Sequence, residues 1–290
     1  MFVEFKHTLR RYTGQILGWG ISLALLGIMM VSVYDSLADQ MDLYEQMIKS
    51  MPEGFMAFFG GLNVMASPEG FIAMEFFSYM PLILGIFAVQ AGSGLLVRDE
   101  EEGTLDLILA HPVSRTGLFL GRLLAFLLAM GLILGIAWLG IIVPMNWSTL
   151  SLSGIAVARP FLSLYAQMVI FGSAGLVLSL FLPSRRWTSM FTGLLLVASF
   201  FVEGFAEINE NLESIARLTP LSYYQHLEAF GGLKGEWLLG LFSASMVLIG
   251  LAWWRFSRRD IRVAGEGGWR LPDLKPFTER GGGEGESLSA

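Results

Sequence analysis

Long apolar runs alternate along this chain with short polar segments. Runs at residues 16–33, 76–97, 118–143, 161–182, 188–205 and 237–254 each approach or exceed the ~20 apolar residues needed to cross a bilayer. Stretches of that length can satisfy their backbone polar groups in lipid only as helices, whereas barrel strands alternate in character over ~10 residues. The pattern therefore predicts an all-α integral membrane protein with six transmembrane helices, occupying residues 1–262. Residues 263–290 are polar and glycine-rich. They hold too few apolar side chains to pack and are predicted to be disordered.

The connecting segments carry helical signals of their own. Ahead of the first run, Phe2, Phe5, Leu9 and Tyr12 recur at helical spacing opposite Lys6 and Arg10, which predicts an amphipathic helix lying in the membrane interface. Within residues 35–75, Leu37, Met41, Tyr44 and Ile48 alternate with Asp39, Asp42 and Glu45, predicting a short amphipathic helix over one mouth of the bundle. The apolar stretch 55–62 is expected to dip into the interface. Between the last two runs, Ile208, Leu212, Ile215 and Leu218 mark a helix that Pro220 ends. A second, aromatic helix follows over residues 221–230, so this segment reads as a short re-entrant hairpin.

Composition agrees with the membrane class. Of 290 residues, 54% are hydrophobic and 15% charged, and the mean hydropathy is +0.59, beyond the range of ordinary soluble domains. The net charge of −6 leaves no basic footprint for nucleic acid. With no cysteine, the chain has no disulfide, thiolate nucleophile or cysteine-based metal site. The basic residues are segregated, and this sets the orientation. They gather in the N-terminal tail, residues 98–122, Arg185 and Arg186, and the tail from Arg255, while the alternate segments hold only Lys49, Arg159, Arg217 and Lys234. The positive-inside rule then puts both termini and residues 98–122 in the cytoplasm.

Candidate chemistry is sparse. No GxxxxGK[ST] phosphate loop occurs, so the chain does not hydrolyse nucleotides by that route. Its three histidines, His7, His111 and His226, fall on different segments. His226 with Glu228 is a weak metal candidate, and an ordinary polar loop is the better reading. Glu203 and Glu207 close the fifth run, where ionisable groups near membrane depth are functional candidates, although they also fit a solvated helix end. Gln90, Ser93, Gln167 and Ser173 lie within runs and suit either helix contacts or the lining of a path. The pairs Gly117/Gly121 and Gly131/Gly135 have the small-xxx-small spacing of helix packing. Two other function classes remain open on these residues. One is an intramembrane enzyme using Glu203 and Glu207, or Glu100, Glu101 and Glu102. The other is an ion-coupled secondary transporter, disfavoured because no run carries a central charge and no inverted repeat is evident.

Residues 98–122 are the most informative segment, with five acidic residues and three arginines between two apolar runs. Glu102, Gly103, Thr104 and Leu105, a leucine-rich turn through Leu107, Ile108 and Leu109, and then Pro112, Val113, Ser114 and Arg115 follow in order. This series resembles the cytoplasmic signature of the type-2 ATP-binding cassette (ABC) permeases, the membrane subunits of bacterial ABC exporters. Residues 219–224 (TPLSYY) and 256–261 (FSRRDI) extend the likeness, with Arg122 where the family often has Lys.

The resemblance implies a cytoplasmic coupling helix that contacts a separate ATPase through Glu100, Glu101, Glu102, Gly103, Thr104, Leu105, Ile108, Leu109, Pro112 and Arg115. Glu100, Glu101 and Glu102 would open that helix, and Leu105, Ile108 and Leu109 would give an apolar edge for a groove on the partner. It also implies two ATPase copies that hold ATP and magnesium, with no cofactor on this chain. A second permease copy, identical or related, would complete the path, in the bacterial cytoplasmic (inner) membrane. Gln90, Ser93, Glu203, Glu207, Pro220, Tyr223 and Tyr224 are the candidates for the path or its outer gate.

The absence of native cysteine makes the orientation testable. Cysteine at Ser50 or Asn209 is expected to react with an impermeant maleimide on intact cells, and cysteine at Ser114 or Ser257 only after permeabilisation. Labelling of Ser114→Cys from outside would overturn the orientation.

Overall fold

A computed structural model describes residues 1–38, 67–105, 114–206 and 208–259. Five expectations fall outside them: the amphipathic helix within residues 35–75, the interfacial stretch 55–62, the turn through Ile108, Leu109 and Pro112, Glu207, and the tail at residues 263–290. Among the described residues every regular element is helical. Five helices among the described residues are long and apolar enough to cross a membrane, and a bent pair brings the number to six if its two helices count as one span.

Helix α1 runs from Phe2 to Ala38 as one element of 37 residues. The separate interfacial helix expected at the N-terminus is thus absent, its residues being the first turns of the first span. No proline interrupts the join, and Gly14, Gly18 and Gly20 cost only ~1 kcal/mol each as helix residues. Tertiary contact outweighs that cost. The α1 start lies against Gly121 of α5 (Arg115–Met145), where an added Cβ would lie 2.7 Å from the Met1 carbonyl.

The α1–α5 contact is the most extensive in the fold. It depends on glycines that let the two backbones approach: Gly20 faces Ile136, Gly27 faces Ile141, and Gly140 faces the Ala24 backbone. Of the two spacings read from the sequence, Gly117/Gly121 does face α1, while Gly131 meets only the edge of Tyr165 and Gly135 has nothing within 4 Å. At the far end Asp35 joins the pair by accepting from Ser148 Oγ (2.7 Å), Thr149 N (2.8 Å) and Thr149 Oγ1 (2.7 Å).

The second span is broken. Helix α2 (Pro68–Ile72) starts with a Ser67 cap and runs into a π-turn at Ala73–Phe77. After a 41° bend, α3 (Met80–Gly94) begins. Pro81 explains the break, since it has no N–H to offer the carbonyl four residues back and its ring crowds that carbonyl. The carbonyl is Phe77 O, and the Tyr224 hydroxyl, 147 residues away, donates to it at 2.9 Å.

Helix α6 (Gly154–Ser179) is the central element, with 72% of its apolar window buried. It packs on α3, α5, α7 (Arg185–Ala206) and α10 (Gly235–Arg258). Phe77, Phe161 and Phe230 form an edge-on cluster with centroids 4.9 and 6.2 Å apart, each pair adding ~0.5–1.5 kcal/mol beyond area burial. Helix α7 is inside out. Thr188, Thr192 and Ser199 are buried, while Met190, Phe191, Leu194, Val197, Phe201 and Phe205 face outward. The three hydroxyls bond carbonyls four residues back, so they cost little beneath an apolar exterior suited to lipid.

Between α7 and α10 the expected helix before Pro220 and the aromatic helix after it are replaced by short turns: Glu210–Leu212, α8 (Glu213–Ala216), Pro220–Tyr223 and α9 (Glu228–Gly231). The 208–218 periodicity misled because Ile208, Ile215 and Leu218 are exposed, so no core supports a longer helix there.

Gly140→Ala should destabilise the fold by ~1–3 kcal/mol, because its methyl would overlap the Ala24 backbone. Gly135→Ala, open on all sides, should be neutral or gain ~0.5–1 kcal/mol. Thermal unfolding of purified protein in detergent separates the two, and equal responses would contradict the proposed α1–α5 seam.

Candidate functional site

The charged segment after the second span begins with α4 (Val97–Glu101). Gly103, at φ 70, then turns the chain into a conformation that favours glycine. Gly103 N donates to Glu100 O (3.2 Å), while Thr104 donates to Asp99 O through its backbone N (2.8 Å) and its hydroxyl (3.2 Å). Glu100, Glu101 and Glu102 thus end a helix, contrary to the expectation that they open one.

Asp99 lies at the centre. Its side chain is 5% exposed and receives Arg11 Nη1 at 2.9 Å and Arg122 Nη2 at 2.6 Å. Arg122 also donates to Leu95 O at 3.0 Å, satisfying a carbonyl left open where α3 ends. Its Nε lies 3.8 Å from Glu4 Oε2. One carboxylate therefore joins the end of the second span to α1 and α5. Burying so much charge is tolerable only because the groups pair with one another.

The neighbouring acids complete the attachment. Glu100, also buried, accepts from Arg259 Nη2 at 2.7 Å, just past the end of α10. Arg259 reaches Leu180 O at 3.4 Å as well, and Arg115 Nη1 donates to Arg259 O at 2.7 Å. Glu101 accepts from Arg185 N at 2.6 Å, placing negative charge at the first residue of α7, where the helix dipole favours it. Among the described residues Glu102 pairs with Arg98, one turn earlier, and both are exposed.

Leu105 is 2% exposed and belongs to the main core. It is therefore not the outward apolar edge expected for a partner's groove, because Gly103 turns it back onto the bundle. Of the expected contact residues, Glu101 and Glu102 face outward, Gly103 and Thr104 are partly exposed, and Glu100 faces inward. Asp99, Arg11 and Arg259 were not singled out from the sequence. Their partners stand 88 and 159 residues apart in the chain, and no local pattern records such pairings.

The opposite end holds the remaining candidates. Arg159, Ser163 and Gln167 form a stripe of every fourth residue on α6 that receives the last turns. Arg159 donates to Phe230 O (3.0 Å), Gln225 N to Ser163 Oγ (2.8 Å) and Gln167 Nε2 to Pro220 O (2.6 Å). Tyr223 donates to Arg217 O at 3.1 Å. Burial pushes the Tyr224 hydroxyl well above its ordinary pKa, so it remains the proton donor to Phe77. His226 stacks on Tyr224, and desolvation lowers its pKa despite the opposing pull of Glu228. Glu203 is half-buried and accepts from Ser222 Oγ at 2.6 Å. Within α3, Ser93 is buried and bonded to Ser189 Oγ at 2.7 Å, whereas Gln90 is exposed. Among the described residues no group of three or more acidic or histidine side chains is placed to hold a metal ion.

Asp99→Asn should cost ~3–5 kcal/mol, because Arg122 is left buried with Glu4, 3.8 Å away, in place of its closest counter-charge. Glu102→Gln, which removes an exposed pair, should stay within ~0.5 kcal/mol. Unfolding temperatures in detergent report both, and a harmless Asp99→Asn would remove this residue from its central place.

The whole arrangement falls within one matched family. The family model described as ABC-2 family transporter protein matches residues 4–261. No curated protein matches the chain.

Proposed function

The chain belongs to the ABC-2 family of transporter proteins, and from that premise we propose that it is the membrane subunit of an ATP-driven exporter. As an ABC transporter permease it is a multi-pass membrane protein and not itself catalytic, and its family typically works with an ATPase partner. In this reading two copies of that ATPase hold ATP and magnesium and dock on the cytoplasmic turn after the second span. The protein resides in the bacterial cytoplasmic (inner) membrane with both termini inside.

One observation carries the reading. The turn at Asp99 to Thr104 is joined to α1, α5, α7 and α10 through buried or capping contacts, yet Glu101 and Glu102 remain at the surface. A partner that displaces this turn moves several spanning helices together, as a power stroke requires. The same attachments disfavour catalytic carboxylates, since Asp99 and Glu100 are committed to arginines and Glu203 to Ser222. Leu107 through Pro112 would complete the docking surface.

The transport path is proposed to lie between this chain and a second permease copy, identical or related, with alternating access along α3 and α7. The exposed Gln90 and the apolar exterior of α7 support that placement. Pro220, Tyr223 and Tyr224, with Glu203 and Glu207, would form the outer gate. The hydrogen bonds that hold residues 220–225 to α6 and to the broken second span support this part of the proposal.

Co-expression with a P-loop ATPase subunit tests the central claim. The permease should retain that ATPase through membrane purification. Glu102→Lys should weaken retention, an interfacial charge contact being worth ~2–5 kcal/mol when broken, with insertion unchanged. Failure of the unaltered permease to retain the ATPase or to stimulate its hydrolysis would contradict the proposal.

A further inference from the structure

Beside the Asp99 cluster, where α1, α3 and α7 meet, lies a cleft of about 60 Å³. Four guanidinium groups line it, those of Arg11, Arg98, Arg122 and Arg185, together with the amides of Gln15 and Gln90, and no carboxylate does. Arg11 and Arg122 share Asp99, and Arg98 has Glu102. Arg185 has no acidic partner for its guanidinium among the described residues. It lies over Gly94, whose missing side chain makes the room: a Cβ there would stand 3.2 Å from Arg185 Nε. Arg122 Nε is buried and faces Glu4 Oε2 at 3.8 Å. Glu4, Asp99 and Glu102 thus face three of the four guanidinium groups, and Arg185 keeps its charge and donors beside a space that fits one small polyatomic group.

The surface beyond the cleft is apolar. One turn deeper on α3 than Gln90, Ile86 is 51% exposed, and one turn deeper on α1 than Gln15, on the same face, Trp19 is partly exposed. An occupant would thus have an anionic head among arginines and hydrocarbon along α1 and α3. Planar guanidinium forks suit phosphate oxygens, and basic pockets between spanning helices are suited to lipid head groups. We propose that this cleft binds the phosphate head group of an anionic phospholipid. The site requires neither an ATPase nor a transported substrate.

The test uses the full chain in detergent micelles supplied with phosphatidylglycerol, phosphatidylcholine or inorganic phosphate at matched ionic strength. Native mass spectrometry and unfolding temperature are the readouts. Phosphatidylglycerol should be retained and should raise the unfolding temperature, and phosphatidylcholine should do so far less. Arg185→Gln should weaken retention about tenfold, the scale of one charge-assisted hydrogen bond. Gln90→Leu, at an exposed position that leaves folding intact, should weaken it by less, and Arg186→Gln, outside the cleft, should change nothing. Equal retention by the unaltered protein, Arg185→Gln and Gln90→Leu would overturn the proposal, as would equal retention of the two lipids. Protection by inorganic phosphate alone that matches the lipid would overturn the lipid as occupant and assign the site to free phosphate.

Discussion

The described fold turns on one carboxylate. Asp99 receives guanidinium groups from Arg11 at 2.9 Å and Arg122 at 2.6 Å, nearly out of contact with water. The second span ends there, the first and third begin there, and Glu100 and Glu101 next to it reach Arg259 beyond α10 and the first turn of α7. Such a cluster is costly to bury, which is also why it is specific. Each charge is tolerated only in the company of its partners, so the helix ends share one relative placement. That property suits an element that must pass displacement from water into a bundle of helices.

The other end of the second span is held by different means. Pro81 frees Phe77 O, and Tyr224 satisfies it, so the break is closed by a residue from the segment before the last span. The stripe of Arg159, Ser163 and Gln167 on α6 receives the same segment. The second span is therefore joined to charge at one end and to neutral hydrogen bonds at the other. In a membrane this division is sensible, because freed backbone groups near lipid must find partners within the protein.

Much of this was legible in the sequence, and the limits have physical causes. The all-helical membrane class followed from the apolar runs, which lipid makes nearly obligatory, and the segment after the second run was marked by its order of Glu, Gly, Thr and Pro. The direction of its side chains was not legible. A run of acids reads as a solvated face unless the arginines that meet it are known, and those lie far away in the chain. Leu105 shows the same limit, since an apolar residue beside charges suits a partner's groove as well as its own core. The N-terminal segment was read as a separate interfacial helix because Phe2, Phe5, Leu9 and Tyr12 recur at helical spacing opposite Lys6 and Arg10. Its residues instead continue into α1, with Lys6 and Arg10 exposed and Glu4 facing Arg122.

The account depends most directly on the coupling between Asp99 and Arg122. A double-mutant cycle with Asp99→Asn, Arg122→Gln and the double variant, followed by thermal unfolding in detergent, measures it. A coupling energy above ~1.5 kcal/mol, with the double variant less destabilised than the two single changes combined, is the predicted result. Additive losses, with coupling below ~0.5 kcal/mol, would contradict the claim that this buried pair positions the helix ends.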